Sequence, residues 1–137
     1  MNILKITKSD FKDGEYIGGE VDFDGHIEIE AKLGWVKFKS LKASGHIWGG
    51  AGLGIKAGEG IKAGEGIEAG WGIEAGWGIE AGLGIEAKAD IKVNLRIFAG
   101  LITWRMPRPE EMTVTCRRLE SGEVAYGKLI EKGETND

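Results

Sequence analysis

Isoleucine recurs at every sixth position through the middle of the chain, at Ile55, Ile61, Ile67, Ile73, Ile79, Ile85, Ile91 and Ile97. Two places after each stands a small residue: Ala57, Ala63, Ala69, Ala75, Ala81, Ala87, Val93 and Ala99. From Gly54 the units read GIKAGE, GIKAGE, GIEAGW, GIEAGW, GIEAGL, GIEAKA, DIKVNL and RIFAGL. A helix does not suit this period, because six residues advance a helix by about 600° and the isoleucines would spiral around it. Glycine at a third of the positions would also cost a helix roughly 1 kcal/mol each. In an extended chain six is a multiple of two, so every isoleucine and alanine points to the same side. The glycines then supply corners, where positive φ is expected. The pattern predicts that residues 54 to 101 form a short parallel β-solenoid, Ile on Ile and Ala on Ala, with coils about 4.8 Å apart. Coils of about 12 or 18 residues both satisfy a six-residue unit.

The flanks read differently. Ile3, Ile6, Phe11, Tyr16 and Ile17 suggest a short strand and a lead-in segment that closes one end of the core. Val21, Phe23, Ile27, Ile29, Ala31, Leu33 and Trp35 then share one parity, with Asp22, Asp24, Glu28, Glu30 and Lys32 opposite, a strand signature. Val36, Phe38 and Leu41 take up the apolar role on the other parity, which places a bulge or turn near Gly34. After the repeat, Trp104 to Glu111 carries two prolines and halts the pattern. Met112 to Leu119 reads as a strand, Glu120 to Glu123 as a turn and Val124 to Ile130 as a returning strand, a hairpin that would cover the last coil's open edge. Gly133 to Asp137 reads as a frayed tail. The expected architecture is all-β: N-terminal strands over 1–46, a solenoid over 47–103 and a C-terminal β-hairpin cap over 104–137, within one compact domain.

Composition narrows the functional classes. With 137 residues the chain fits a single domain, and those of its 24 glycines that fall within the repeat are regularly spaced and interleaved with isoleucine. A formal net charge of −4 argues against direct nucleic-acid binding, which needs basic clusters. One cysteine permits no internal disulfide, and the N-terminus carries no signal-like apolar run. No long apolar run suggests a membrane span. A cytoplasmic protein is the expectation.

The hexads resemble those of left-handed β-helix proteins, which favour an aliphatic residue, then a small or acidic one, then a small residue four places after the first. Ile67-Glu68-Ala69-Gly70-Trp71-Gly72 matches the first two slots and differs at the next, where Trp71 stands. The repeat style is also similar to that of small polymer-forming β-solenoids of bacterial scaffolds. Acyltransferases of the former group use a histidine in a cleft between subunits, and His26 and His46 both lie outside the hexads. That activity is not carried over.

Two variable slots hold the remaining information. The sixth slot reads Leu53, Glu59, Glu65, Trp71, Trp77, Leu83, Ala89, Leu95 and Leu101. Strict alternation would bury two unpaired glutamates at high cost. A Gly-x-Gly corner that turns the side chain outward avoids this and makes Trp71, Trp77 and Leu83 an exposed ridge. The other reading has the tryptophans filling a wide core with the glutamates near an end. The outward slot runs Lys56, Lys62, Glu68, Glu74, Glu80, Glu86 and Lys92, an acidic ladder beside the tryptophans. It would meet a basic partner or serve as a solvated face. Arg96, Arg105, Arg108, Arg117, Arg118 and Lys128 form a basic C-terminal set that would touch phosphates, pair with the acidic middle of another copy, or simply be solvated.

No catalytic constellation, cofactor motif or metal-ligand spacing is present, and His26 and His46 are too few for a metal site and read as strand or turn residues. Cys116 reads as a small strand residue. The expectation is a non-enzymatic protein-binding solenoid whose binding residues are Trp71, Trp77, Leu83, Glu68, Glu74, Glu80 and Glu86. Its partner would be a protein, basic or nucleic-acid-binding. Small acidic proteins of phages and mobile elements, anti-CRISPR inhibitors among them, often occlude nucleic-acid sites, a comparison of size and charge alone. The alternatives are a self-assembling scaffold that forms homo-oligomers and, last, an acyltransferase of the hexapeptide kind.

Overall fold

The structure, a computed structural model, describes residues 2–133, so the expected frayed tail lies, Gly133 apart, outside the described residues. The chain winds through short strands in chain order. The first coil contains β1 (Ile3–Ile6), β2 (Phe11–Lys12), β3 (Glu15–Tyr16) and β4 (Val21–Phe23). The second contains β5 (His26–Ile29), β6 (Gly34–Phe38) and β7 (Leu41–Ala43), and the third β8 (Ile47–Ala51), β9 (Leu53–Ala57) and β10 (Ile61–Ala63). The fourth holds β11 (Ile67–Gly70), β12 (Ile73–Ala75) and β13 (Ile79–Ala81), and the fifth β14 (Ile85–Ala87) and the long β15 (Ile91–Ala99). Then come β16 (Thr113–Cys116), β17 (Leu119–Tyr126) and β18 (Lys128–Glu131).

These strands form a parallel β-solenoid of about seven turns. Its first face is the stack β1-β5-β8-β11-β14-β16-β18. The second runs through β6, β9, β12 and the start of β15, and the third through β4, β7, β10, β13 and the end of β15. Each of the regular hexads therefore builds one side of a three-sided coil. Ile55 pairs with Ile73 and Ile73 with Ile91, so a regular coil is three hexads long. Towards the N-terminus Ile27 pairs with Ile47 and Ile47 with Ile67, so those coils are slightly longer.

Inside, the stacked isoleucines and alanines of all three faces are buried. Burial of one isoleucine contributes about 1.5–3 kcal/mol, and each regular coil supplies three. Phe11 and Tyr16 close the first end by packing on Phe38, with ring centroids 5.7 and 5.2 Å away. The parity change near Gly34 is a turn, with positive φ at Lys32 and Gly34. The expected 21–35 run is broken first at Asp24–Gly25, between β4 and β5, and again by this turn before β6, which leaves Trp35 facing outward.

Three expectations are corrected. The C-terminal hairpin cap does not form, because β16 pairs parallel with β14 and with β18, and β17 pairs parallel with β15. Leu119 and Val124 continue the Ile91 and Ile97 stacks, so this segment is a further coil. Coils likewise continue on the N-terminal side of the hexads, so the solenoid is not confined to 47–103. The third correction concerns the corner glycines, none of which between Gly54 and Gly84 has positive φ. Several of them are required because adjacent corners touch. A Cβ on Gly70, Gly76 or Gly82 would collide with the carbonyl oxygen of Gly50, Gly58 or Gly64 in the preceding coil.

Candidate binding surface

With three hexads to a coil, successive sixth-slot residues fall on successive edges of the prism. Trp71 sits between the first and second faces, Trp77 between the second and third, and Leu83 between the third and first. The ridge expected of Trp71, Trp77 and Leu83 is therefore three separate columns. Backbone hydrogen bonds define them: Trp71 N donates to Leu53 O, Trp77 N to Glu59 O, and Leu83 N to Glu65 O. Outward projection holds for Trp71 and Trp77, which are 43% and 58% exposed. Leu83 is half-buried and Leu53 points into the core, so the slot does not behave uniformly.

The acidic ladder is divided in the same way. Glu68 and Glu86 are register neighbours on the first face. Glu74 lies on the second face between Lys56 and Lys92, with Lys56 Nζ 3.2 Å from its carboxylate. Glu80 lies on the third between Lys62 and Phe98, 3.5 Å from Lys62 Nζ. Two of the four carboxylates thus face lysines of the preceding coil, which relieves the repulsion that a continuous ladder would carry.

Each face acquires its own character. On the second face Trp35 lies over Gly54 and Gly72, where any Cβ would strike its ring, and packs against Trp71 at 5.2 Å. The third face carries an open groove of about 840 Å³. One wall is the corner column Glu59, Trp77 and Leu95, and the other is the outward column Lys62, Glu80 and Phe98. Gly60 and Gly78 lie between the two columns, where a Cβ would head for the backbone carbonyl of the next coil, Gly78 O or Arg96 O. Leu95 is 61% exposed and stacks below Trp77, its N–H donating to Trp77 O at 2.9 Å.

The first face gathers His26, His46 and Trp48. The His46 and Trp48 rings stack at 4.9 Å with planes 13° apart, and the His26 ring lies 5.2 Å from His46. His26 Nδ1 accepts the His46 backbone N–H at 2.8 Å, a side chain standing in for an inter-coil carbonyl. His46 Nδ1 lies 3.4 Å from Glu65 Oε1 without forming a hydrogen bond. Burial holds the His46 pKa below its ordinary value, with His26 acting in the same direction and Glu65 and Glu68 opposing.

The expected binding set includes Trp77 and Glu80, which the groove brings together, but not Leu95, Phe98 or Lys62 beside them. It likewise passes over Trp35, Trp48 and Glu65. The missing signal is the coil length. His26 and His46 stand one N-terminal coil apart, and Trp77 and Leu95 one regular coil apart, so neither pair is adjacent until the winding is known.

No family model, curated protein or solved structure matches this chain. Among the described residues, no helix is long and apolar enough to cross a membrane.

Proposed function

We propose that this chain is a non-enzymatic protein-binding solenoid that holds a segment of a partner protein in the groove beside Trp77. The observation that carries this reading is the groove itself, whose volume lies in the roughly 300–1,000 Å³ range of ligand-binding clefts and whose exposed wall is Trp77 and Leu95. Exposed apolar surface of this kind marks contact sites, and tryptophan is enriched among residues that dominate binding energy. Lys42, Lys62 and Arg96 share the lining with Glu59, Glu80 and Glu123. That mixture suits a polypeptide better than a polyanion, and gives no preference for a basic partner. The inhibitor comparison thus gains no support beyond size and charge. The hexads' resemblance to left-handed β-helix proteins supports the architecture, and no acyl-transfer chemistry is inferred from it.

Separation of the tryptophans on different edges makes the test selective. A partner retained from the native source by the full chain is purified, and its affinity is measured for Trp77→Ala and Trp71→Ala. Loss of a dominant anchor costs about 2 kcal/mol or more, so Trp77→Ala is expected to weaken binding by roughly 30-fold. Trp71→Ala is expected to leave it near the original value. Equal affinity for the original chain and Trp77→Ala would remove the groove from the interface.

A further inference from the structure

The first-face cluster has a chemistry that the groove does not use. Donor atoms of His26, His46 and Glu65 all lie within 4.8 Å of one another. They come from successive coils and from residues remote in sequence, so the solenoid's winding alone assembles them. Among the described residues, His46 Nδ1 is the one buried side-chain nitrogen or oxygen with no hydrogen-bond partner. Buried polar atoms are almost always satisfied, and an orphan calls for an ion or water as its partner. Its nearest acceptor is Glu65 Oε1 at 3.4 Å, too poorly placed for a hydrogen bond. Two ligands each about 2.1 Å from a tetrahedral zinc ion stand about 3.4 Å apart, so this separation suits a shared metal.

We propose that His26, His46 and Glu65 form a binding site for a divalent transition-metal ion of the zinc class. Imidazole nitrogens select such ions over magnesium and calcium. Three protein donors leave one tetrahedral position to water or a further ligand, and both His46 and Glu65 are partly open to solvent. In the metal-free arrangement the His26 Nδ1 lone pair is committed to the His46 amide. A neutral His26 has one acceptor nitrogen, so ligation through either Nδ1 or Nε2 gives up its acceptance of that amide, and one inter-coil hydrogen bond is exchanged for a metal bond. That exchange lowers the affinity relative to a preformed site. It also makes His26 the weakest of the three ligands, behind His46 and Glu65.

The test uses the untagged full chain, since an added histidine tag would supply competing ligands. Calorimetric titration with zinc is expected to show one ion per chain, and magnesium none. Cobalt substitution is expected to give visible absorption of a tetrahedral nitrogen–oxygen site, a readout that needs no variant. His46→Ala and Glu65→Gln should each weaken zinc binding by more than the roughly 10–100-fold typical of losing an outer partner. His46→Gln serves where the alanine variant fails to fold. Absence of stoichiometric zinc binding by the original chain would overturn the proposal. So would zinc affinity unchanged in folded His46 and Glu65 variants.

Discussion

On β16 the core-facing positions are Val114 and Cys116, and the second takes the small-residue place that Ala87 holds on β14. Its chemistry follows from that direction. Burial pushes the Cys116 thiol up to about 11, with Glu131 and Asp90 adding to the effect and a hydrogen bond from Ile91 N–H opposing it. Only the thiolate is nucleophilic, so native Cys116 should resist alkylation at pH 8. Iodoacetamide is expected to leave the folded protein unmodified over a period in which the urea-unfolded chain reacts fully, as read by mass spectrometry. Rapid labelling under native conditions would show that β16 opens readily. Direction also decides what could be read of the variable slots. Outward projection of Trp71 and Trp77 is one of the two readings that the Gly-x-Gly context allows, since Leu53 in the same context points into the core. Which edge each occupies is not legible there, because period six is consistent with more than one coil length.

The strands illustrate the same division between local and long-range information. Ile67 and Ala69 on β11, or Ile73 and Ala75 on β12, announce their inward faces by alternation and by strand-compatible side chains. By contrast β17, Leu119–Tyr126, contains a Ser-Gly pair that resembles a hairpin turn. Only its pairing to β15, a full coil earlier in the chain, shows that the backbone rounds a corner there and continues. The corner glycines are legible as necessary, but the conformational reason that the sequence suggests gives way to a steric one. Gly58 and Gly76 occupy equivalent places on the same edge, yet a Cβ on Gly58 would meet Lys39 O at 3.7 Å, whereas on Gly76 it would collide with Gly58 O. Gly76→Ala should therefore destabilise by about 1–3 kcal/mol, the usual cost of overpacking. Gly58→Ala should be nearly neutral. Urea denaturation of the two variants decides between the accounts, since a requirement for positive φ would penalise both alike.

At the scale of the whole molecule, stacking continues across an interruption. The chain leaves the prism at Gly100 and returns at Thr113; one carboxylate secures that detour and a second ties down the coil that follows. Glu111 accepts both Arg105 Nη groups at 2.8 Å and the Arg108 backbone N–H at 2.9 Å, which fixes the excursion. Asp90, at a corner of the fifth coil, accepts Arg117 Nε at 2.8 Å from the coil beyond. The hydrogen bond from Arg117 is the main cause that holds the Asp90 carboxyl below its ordinary 3.8. Arg105 does the same for Glu111, which lies far below its ordinary 4.5. A carboxyl whose pKa is lowered by folding stabilises the native state above its unfolded value, and that contribution disappears as pH falls through the lowered value. Acidification from about pH 6 to pH 3 should accordingly loosen the C-terminal coils before the regular middle, whose Ile/Ala stacks contain no titrating group. Native-state hydrogen exchange is expected to show amides of β16 to β18 losing protection first, while those of β10 to β13 stay protected. Asp90→Asn should weaken protection of β16 to β18 already at pH 6 and flatten its further loss on acidification. Uniform loss along the solenoid, or an unaltered pH dependence in Asp90→Asn, would mean that the Asp90–Arg117 contact does not control how the last coils are held.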